Sequence, residues 1–576
     1  MENLRVAWIL KEIADLMELK GENPFKIRAY RQGSERIEGL SEPLIDIYQE
    51  DRLQQLPGIG NRLSQIITEI LEEGESSFYQ QLKEEIPRGL IDLLDVSGIG
   101  PKKALLFHQK LGISDLSELE AAAQSRRLRA LKGIGSKTEL RILEGIDRLR
   151  SREGKVVLGL ALKVGMDLVK KLKHQPFIHH ISLVGETRRR KELVEGVELL
   201  ISSEEPDLVL EGFSGLHPLV EVIDRWEDGA TLKLREGLKV TLRVVSESDY
   251  WLRLLFETGS SAHLESLQEL ADDSGFELNH SGLVDIKKGK QVHPEAEEDI
   301  YQAFDLPYII PELREGWGEI RAAREKGLPD PITADRIRGD LHLHTTWSDG
   351  GNSIKEMAEA AQKRGYQYLA ICDHSPSLQI AGGLSRARLE EQIKRIEELN
   401  ASFQDFRILT GVEVDINSDL SLDHPEEILS KLDVVVASIH TGFRQDEDQL
   451  TARLLKAVEN DNVDIIGHPS GRLLGRRAPY SINLDLVLEA AAWEGKVLEI
   501  NASPDRLDLS AEYIKKARDL GIKLAINTDA HSISQLDYMQ LGVAYARRGW
   551  LEAVDVINTL SLPELMDFLS IEGERG

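Results

Sequence analysis

From Asp340 onward the chain repeats one unit: a short apolar run with an imidazole or carboxylate at or just beyond its C-terminal end, then a helix-forming stretch. The runs include YLAICDH, RILTGVEVD, DVVVASIH, VDIIGHP, KVLEINAS and KLAINTDAH. That strand–helix rhythm implies a parallel, barrel-like α/β domain, in which functional side chains sit at the C-terminal ends of the strands. The segment DLHLHTTWSD supplies His342, His344 and Asp349, and the two histidines, two apart on a strand, share one face. CDHS adds His374, GVEVD adds Glu413, ASIH adds His440, IGHP adds His468, and NTDAH adds Asp529 and His531. In a parallel barrel those ends converge on one rim, so residues far apart in sequence meet in one pocket. A lone strand-end histidine is usually a hydrogen-bonded core or loop residue; a full set at the same end of successive strands is a ligand cluster. Imidazole and carboxylate together suit Zn2+, Mn2+ or Fe2+, and the set exceeds what one ion needs, so two or three ions are expected.

Several ions this close activate water and polarise a phosphoryl oxygen, which makes phosphoester hydrolysis the natural chemistry. Arg472, Arg476 and Arg477, in GHPSGRLLGRRAPY after His468, are candidates to hold a substrate phosphate, against the alternative of a solvated Arg-rich loop. Asp340 and Asp373 sit beside ligands and are expected to orient imidazoles. His424, in a loop, reads as a surface residue, and Cys372 as buried apolar packing.

Residues 1–150 read as almost wholly helical, broken by short glycine-rich turns. Three turns repeat: LPGIG with Gly58 and Gly60, VSGIG with Gly98 and Gly100, and LKGIG with Gly133 and Gly135. Each precedes a helix-forming run. A backbone that turns sharply and presents its N–H groups at a helix N-terminus binds phosphate. One such turn could be an ordinary connector; three in one segment favour contact with a DNA backbone. Local charge agrees, since residues 101–150 hold eleven Lys/Arg and six Asp/Glu, against four and nine in residues 51–100. The net charge of −28 argues against binding by bulk electrostatics and leaves local patches and backbone contacts.

Between the two regions, HHISLVGE, VELLISS and ATLKLREGLKVTLRVVS look like a small sheet, and Glu319–Asp340 reads as a polar interdomain connector. At 576 residues several cores are expected. The single Cys372 forms no internal disulfide, and MENLRVAWILKEIADLMELKG reads as an amphipathic helix, not a signal peptide. No stretch is apolar enough to span a bilayer, so a cytoplasmic setting without membrane contact is expected.

The set HxH…D, DH, E, H, GHP, DAH resembles the polymerase-and-histidinol-phosphatase (PHP) domain, from Asp340 to about Leu562. By that resemblance the domain is a distorted (β/α)7 barrel. His342, His344 and Asp529 would bind one ion, Glu413 would bridge to a second held by His440 and His468, and Asp349, His374 and His531 would hold a third. His342, His344, Asp349, Glu413 and Asp529 are the expected catalytic residues. With the helix-hairpin-helix repeats, NPFKIRAYRQGSERI and GETRRRKELVEGVELL, the whole chain resembles a bacterial family X DNA polymerase with a C-terminal PHP domain. The implied order is an N-terminal helical DNA-binding domain (1–85), helix-hairpin-helix fingers (86–152), an α+β nucleotidyltransferase-like palm (153–235), a thumb (236–318), a linker (319–339) and the PHP domain (340–576).

The resemblance breaks at the polymerase centre. Where the family places a serine and three metal-binding aspartates, this chain has Glu186, then Gly196 and Glu198, then Thr241. One carboxylate of three cannot hold two Mg2+ ions, so Mg2+ is not expected at the palm. The Thr258-Gly259-Ser260 turn persists. The position of the family's Schiff-base lysine is Ile66, so that activity is not expected either. The reading is therefore a DNA-binding, Mn2+- or Zn2+-dependent phosphodiesterase, a 3'-5' exonuclease or repair-type nuclease, with polymerisation lost. Single-stranded or gapped DNA, or 3' ends, are its expected partners, with nucleoid association following from DNA binding. The alternatives are an active family X polymerase in DNA repair, a histidinol-phosphatase-like small-molecule phosphatase, and a non-catalytic DNA-binding scaffold with structural metals. Protein partners are not indicated.

Overall fold

The computed structural model describes residues 2–38, 40, 44–87, 89–96, 99–150, 154–216, 221–234, 238–443, 445–475 and 477–573. Among them no helix is long and apolar enough to cross a membrane. The chain divides into two compact units, the first formed chiefly by residues 1–155 and the second by most of the remainder.

The first unit is helical. Helix Glu2–Lys20 buries Leu10, Ile13, Leu16 and Met17, whose three-to-four spacing makes one continuous apolar stripe. The three glycine turns are entered and anchored alike. Short 3-10 turns at Leu53–Gln55, Leu93–Asp95 and Leu128–Ala130 lead into them. In each, the isoleucine N–H donates to the carbonyl three residues back, from Ile59 to Leu56, Ile99 to Val96 and Ile134 to Leu131. Those isoleucines are buried, at 3, 5 and 6% exposure. They anchor each turn, while Gly58, Gly60, Gly100, Gly133 and Gly135 are exposed. Gly58 and Gly133 have φ of +85° and +90°, the left-handed region that favours glycine. A Cβ on Gly60, Gly100 or Gly135, at the starts of helices Asn61–Glu73, Pro101–Leu111 and Ser136–Arg150, would meet nothing within 4 Å, so each helix N-terminus is open to a close-approaching ligand. Gly98 lies outside the described residues. Ile66 is fully buried.

In the second unit a five-stranded sheet runs in the order His180–Leu183, Val197–Ser202, Lys239–Val245, Gly229–Lys233, Glu221–Trp226. Val197–Ser202 and Lys239–Val245 pair in parallel, with Glu198 opposite Thr241. The palm–thumb boundary expected at 235/236 is therefore corrected: Lys239–Val245 is an interior strand of the palm sheet, and the thumb begins beyond it. Helices Tyr250–Thr258 and Ser261–Ser274 and a small antiparallel sheet enclose the thumb core around Leu255, Leu267, Ile300 and Ile309. The expected connector is also corrected at its start. Residues Glu319–Arg324 form a helix that packs Ile320 and Ala323 into that core, and buried Glu319 lies 2.8 Å from His263 Nδ1. Further along, Ile332 bonds in both directions to the last domain, through Leu551 O and Arg547 Nε.

The last domain is a seven-stranded, all-parallel sheet in sequential order: β1 (Gly339–Leu343), β2 (Tyr368–Ile371), β3 (Arg407–Asp415), β4 (Val434–Ser438), β5 (Ile465–Ile466), β6 (Val497–Asn501) and β7 (Leu524–Asn527). All strand residues except Arg407 are buried, as expected where helices cover one face and the barrel interior the other. A bridge between Leu343 and Ala530, with His344 N–H donating to Ala530 O at 2.9 Å, brings the first strand against the last and nearly closes the barrel. All seven C-terminal strand ends meet on one rim.

Candidate metal centre

Every predicted ligand stands on that rim. His342 is the penultimate residue of β1, with His344 one residue and Asp349 six residues beyond the strand. His374 follows β2, Glu413 lies in β3, His440 follows β4, His468 follows β5, and Asp529 and His531 follow β7. The two-residue spacing of His342 and His344 puts both rings on one face, with their Nε2 atoms 3.2 Å apart. His468 and Asp529 hold φ of 27° and 53°, left-handed conformations that non-glycine residues keep only where the surroundings enforce them.

Among the described residues, three groups of donors have all their ligand atoms within 4.8 Å of one another: His344, Asp349, His374 and His531; His342, His344 and Asp529; and His374, Glu413 and His440. Donors about 2.1 Å from a common tetrahedral ion stand about 3.4 Å apart. The distances here match. His344 Nε2 is 3.1 Å and His342 Nε2 3.8 Å from Asp529 Oδ1. Glu413 Oε2 lies 3.4 Å from His342, 3.6 Å from His344 and 2.8 Å from His374, while its Oε1 lies 3.2 Å from His440 and 3.0 Å from His468. Asp349 Oδ1 lies 3.5 Å from His374 and 3.4 Å from His531. The expected three-way partition differs in two respects: His344 and His374 are each shared between groups, and His468 reaches Glu413 without completing a group of three.

The electrostatics suit divalent cations. Burial alone would push Glu413 and Asp529 up, but the imidazoles around them hold both well below the carboxylate range, so both are charged donors. Burial, with His531 and His374 alongside, lowers His344 to about 4, leaving its ring neutral with a lone pair to give. His344 Nδ1 and His468 Nδ1 are buried without a hydrogen-bond partner among the described residues. Carboxylate oxygens and imidazole nitrogens at these distances could hold divalent metal ions.

Sequence reasoning missed the groups that hold this shell. Glu499, in β6, is fully buried; its Oε1 is 2.7 Å from His342 Nδ1, and it accepts from His468 N–H at 2.7 Å and from Asn527 Nδ2 at 3.0 Å. Asn501 donates to Asp529 Oδ2 at 3.1 Å, and Arg506 Nε stands 3.6 Å from the same oxygen. The available signal was a single acid inside the apolar run VLEIN. Glu499 fixes which nitrogen of His342 faces the centre.

Four expectations change. Among the described residues neither Asp340 nor Asp373 bonds to an imidazole: Asp340 accepts from the Thr528 hydroxyl at 2.5 Å and from the backbone of Thr528 and His342, tying β1 to the segment after β7. Asp373 accepts from Thr345 and Ser348, and from Gln392 at 2.6 Å, and so holds the loop that carries Asp349. His424 is buried at 4%, because Asp423 pins its loop to the barrel through Asp415 O and Ser377 N–H. Arg472 does not offer its fork to a phosphate: it donates to the carbonyls of Arg506 and Leu507 and to Tyr545 OH. Arg476 lies outside the described residues, and Arg477 is half-buried. Cys372 is buried, its thiol directed at Leu341 O and held far above its ordinary range by burial.

At the palm, Glu186 Oε1 accepts from Lys191 at 3.0 Å and Thr241 Oγ1 meets Thr231 Oγ1 at 3.3 Å. The Glu198 carboxylate lies over Gly185, where a Cβ would come within 1.6 Å of it. None of the donor groups found among the described residues lies here. The arginines that follow are committed elsewhere. Arg188 forks onto Glu297 and also meets Thr258, and Arg189 pairs with Glu315.

Comparison with known families assigns residues 1–76 to a helix-hairpin-helix domain, 90–148 to a SAM-like helix-hairpin-helix tandem, 253–315 to the DNA polymerase beta thumb, and 340–503 to the PHP domain. The chain is 38% identical over 563 residues to the DNA polymerase/3'-5' exonuclease PolX of Bacillus subtilis (strain 168), covering 97% of this chain and 98% of that protein. Over 210 residues it is 36% identical to a probable phosphatase of Thermoanaerobacter sp. (strain X514), a match spanning 33% of this chain and 78% of the relative. A probable phosphatase of Shewanella oneidensis is 27% identical over 256 residues, 41% of this chain and 92% of that protein.

Proposed function

The chain belongs to the bacterial family X DNA polymerases that carry a C-terminal PHP domain, and from that membership we propose that it is a metal-dependent DNA phosphodiesterase whose polymerase centre is lost. The observation that carries this reading is the convergence of three overlapping donor groups on one barrel rim, with Glu413 facing five imidazoles. His342, His344 and Asp529 would hold one Mn2+ or Zn2+ ion, His374, Glu413 and His440 a second with His468 beside Glu413, and Asp349 and His531, sharing His344 and His374, a third. Ions held there would supply Lewis acidity, able to activate a water and to neutralise charge on a leaving oxygen.

The protein's own part is orientation and burial. Glu499 and Asn501 fix His342 and Asp529, and Asp373 fixes the Asp349 loop. Around the buried His342, His344 and Glu413 the field of the charges is screened less than in water. The relative from Bacillus subtilis is named as a polymerase and a 3'-5' exonuclease; for this chain we take the second activity, because Gly196 and Thr241 stand where the polymerase needs carboxylates. The exposed glycine turns supply a DNA-backbone grip that a small-molecule phosphatase would not require.

Purified full-length protein with Mn2+ is expected to shorten 5'-labelled single-stranded or gapped DNA, and His342→Ala to abolish the shortening while leaving the circular-dichroism spectrum unchanged. Unfolding of that variant would favour a structural role for the metals. Cleavage of histidinol phosphate with no action on DNA would favour the phosphatase.

A further inference from the structure

The loop after β6 carries a cation that the ligand set does not explain. Arg506 is only 17% exposed along its side chain, and its Nε stands 3.6 Å from Asp529 Oδ2. That oxygen is turned away from the imidazoles, since Oδ1 is the one facing His344 and His342. Arg506 Nη1 is buried and has no acceptor among the described residues. A buried guanidinium N–H without an acceptor is uncommon in a finished structure. Here it borders a centre that receives an anion, and the planar fork of arginine matches the oxygens of a phosphoryl group.

The position of Arg506 is fixed from behind. Arg472, 8% exposed, donates through Nε to Arg506 O at 3.0 Å and through Nη2 to Leu507 O. The same Nη2 donates to Tyr545 OH at 3.0 Å, and Nη1 reaches Glu192 Oε1 of the palm at 3.4 Å. Leu507 holds φ of 41°, a left-handed conformation that costs a leucine energy and persists because its carbonyl is captured. The segment Arg188–Glu192, next to the vestigial polymerase centre, thus ends on a brace for the hydrolase.

We propose that Arg506 grips a non-bridging oxygen of the phosphoryl group undergoing hydrolysis, and that Arg472, held by Tyr545 and Glu192, is its positioning residue. The proposal rests on the phosphodiesterase reading and assigns a substrate contact within it.

The test uses the full chain loaded with Mn2+, a chromogenic phosphodiester (the p-nitrophenyl ester of thymidine 5'-monophosphate), and inorganic phosphate as a product-like ligand titrated by calorimetry. Arg506→Gln is expected to lower kcat about 100- to 1000-fold and to weaken phosphate binding about 10-fold or more, with Mn2+ content unchanged. Arg506→Lys, which keeps the charge without the fork, should fall between Arg506→Gln and the wild type. Arg472→Lys is expected to lower kcat about 10-fold and to weaken phosphate binding in the folded protein; a merely structural role would lower the melting temperature and leave phosphate affinity alone. If Arg506→Gln loses Mn2+, Arg506→Lys carries the comparison. A wild type that cleaves the ester beside an Arg506→Gln variant with equal kcat and equal phosphate affinity overturns the proposal. A Mn2+-loaded wild type that cleaves no phosphodiester overturns the phosphodiesterase reading, and the phosphate titrations then still decide whether Arg506 binds the anion.

Discussion

Glu413→Gln is expected to lower metal-dependent phosphodiester cleavage about 1000-fold or more and to release at least one ion per chain, measured by steady-state kinetics and elemental analysis of the dialysed protein. The substitution barely changes volume, so no cavity contributes to the effect. Glu413 is the hub of the cluster: Oε2 faces His342, His344 and His374, and Oε1 faces His440 and His468. A neutral amide also places an N–H₂ where an oxygen donor stood, so at least two of those five rings face a competing donor. The fold should survive, because the β3 backbone around position 413 is held by its parallel neighbours. Unchanged ion content and activity in this variant would mean that the rim does not bind metal through Glu413.

The second large effect concerns an attempt to rebuild the polymerase centre. Gly196→Asp is expected to destabilise the palm by about 1–3 kcal/mol and to produce no templated synthesis, alone or with Thr241→Asp. A Cβ at position 196 would come within 2.5 Å of Lys239 O and 3.2 Å of Lys239 C, both backbone atoms of the adjoining segment, which cannot rotate away. The missing carboxylate is therefore not a point change in an otherwise intact site. The strand pair has closed over the position, Glu186 is paired with Lys191, and Arg188 and Arg189 are engaged with Glu297 and Glu315. Calorimetry of the variant and a primer-extension assay measure the two halves of this prediction. Extension by Gly196→Asp with stability unchanged would show that the closure is not a barrier.

Much of this was legible before any coordinates. The seven barrel strands announced themselves because parallel strands are buried on both faces and read as continuous apolar runs, and the imidazoles and carboxylates at their ends do meet on one rim. The glycine turns were legible because the left-handed backbone at Gly58 and Gly133 favours glycine. What escaped was set by tertiary contact. Glu499 looks like an interruption of VLEIN until His342, 157 residues earlier, is placed against it. Arg472 looks like a substrate cation until its partners, Arg506 and Leu507, take up its fork. The palm boundary was misplaced because Lys239–Val245 has its parallel partner in Val197–Ser202, with a helix and two strands intervening. His424 carries a polar local sequence, and only the pinning of Asp423 to Asp415 shows that it is covered.

The central claim is that one catalytic centre remains and that it hydrolyses. It is tested most directly by incubating full-length protein with a 5'-labelled primer annealed to a longer template, Mn2+ and all four deoxynucleoside triphosphates, and reading primer length on a denaturing gel. The account predicts a primer that shortens with time and never lengthens, with both changes absent in His342→Ala. Template-directed lengthening that persists in His342→Ala would contradict it.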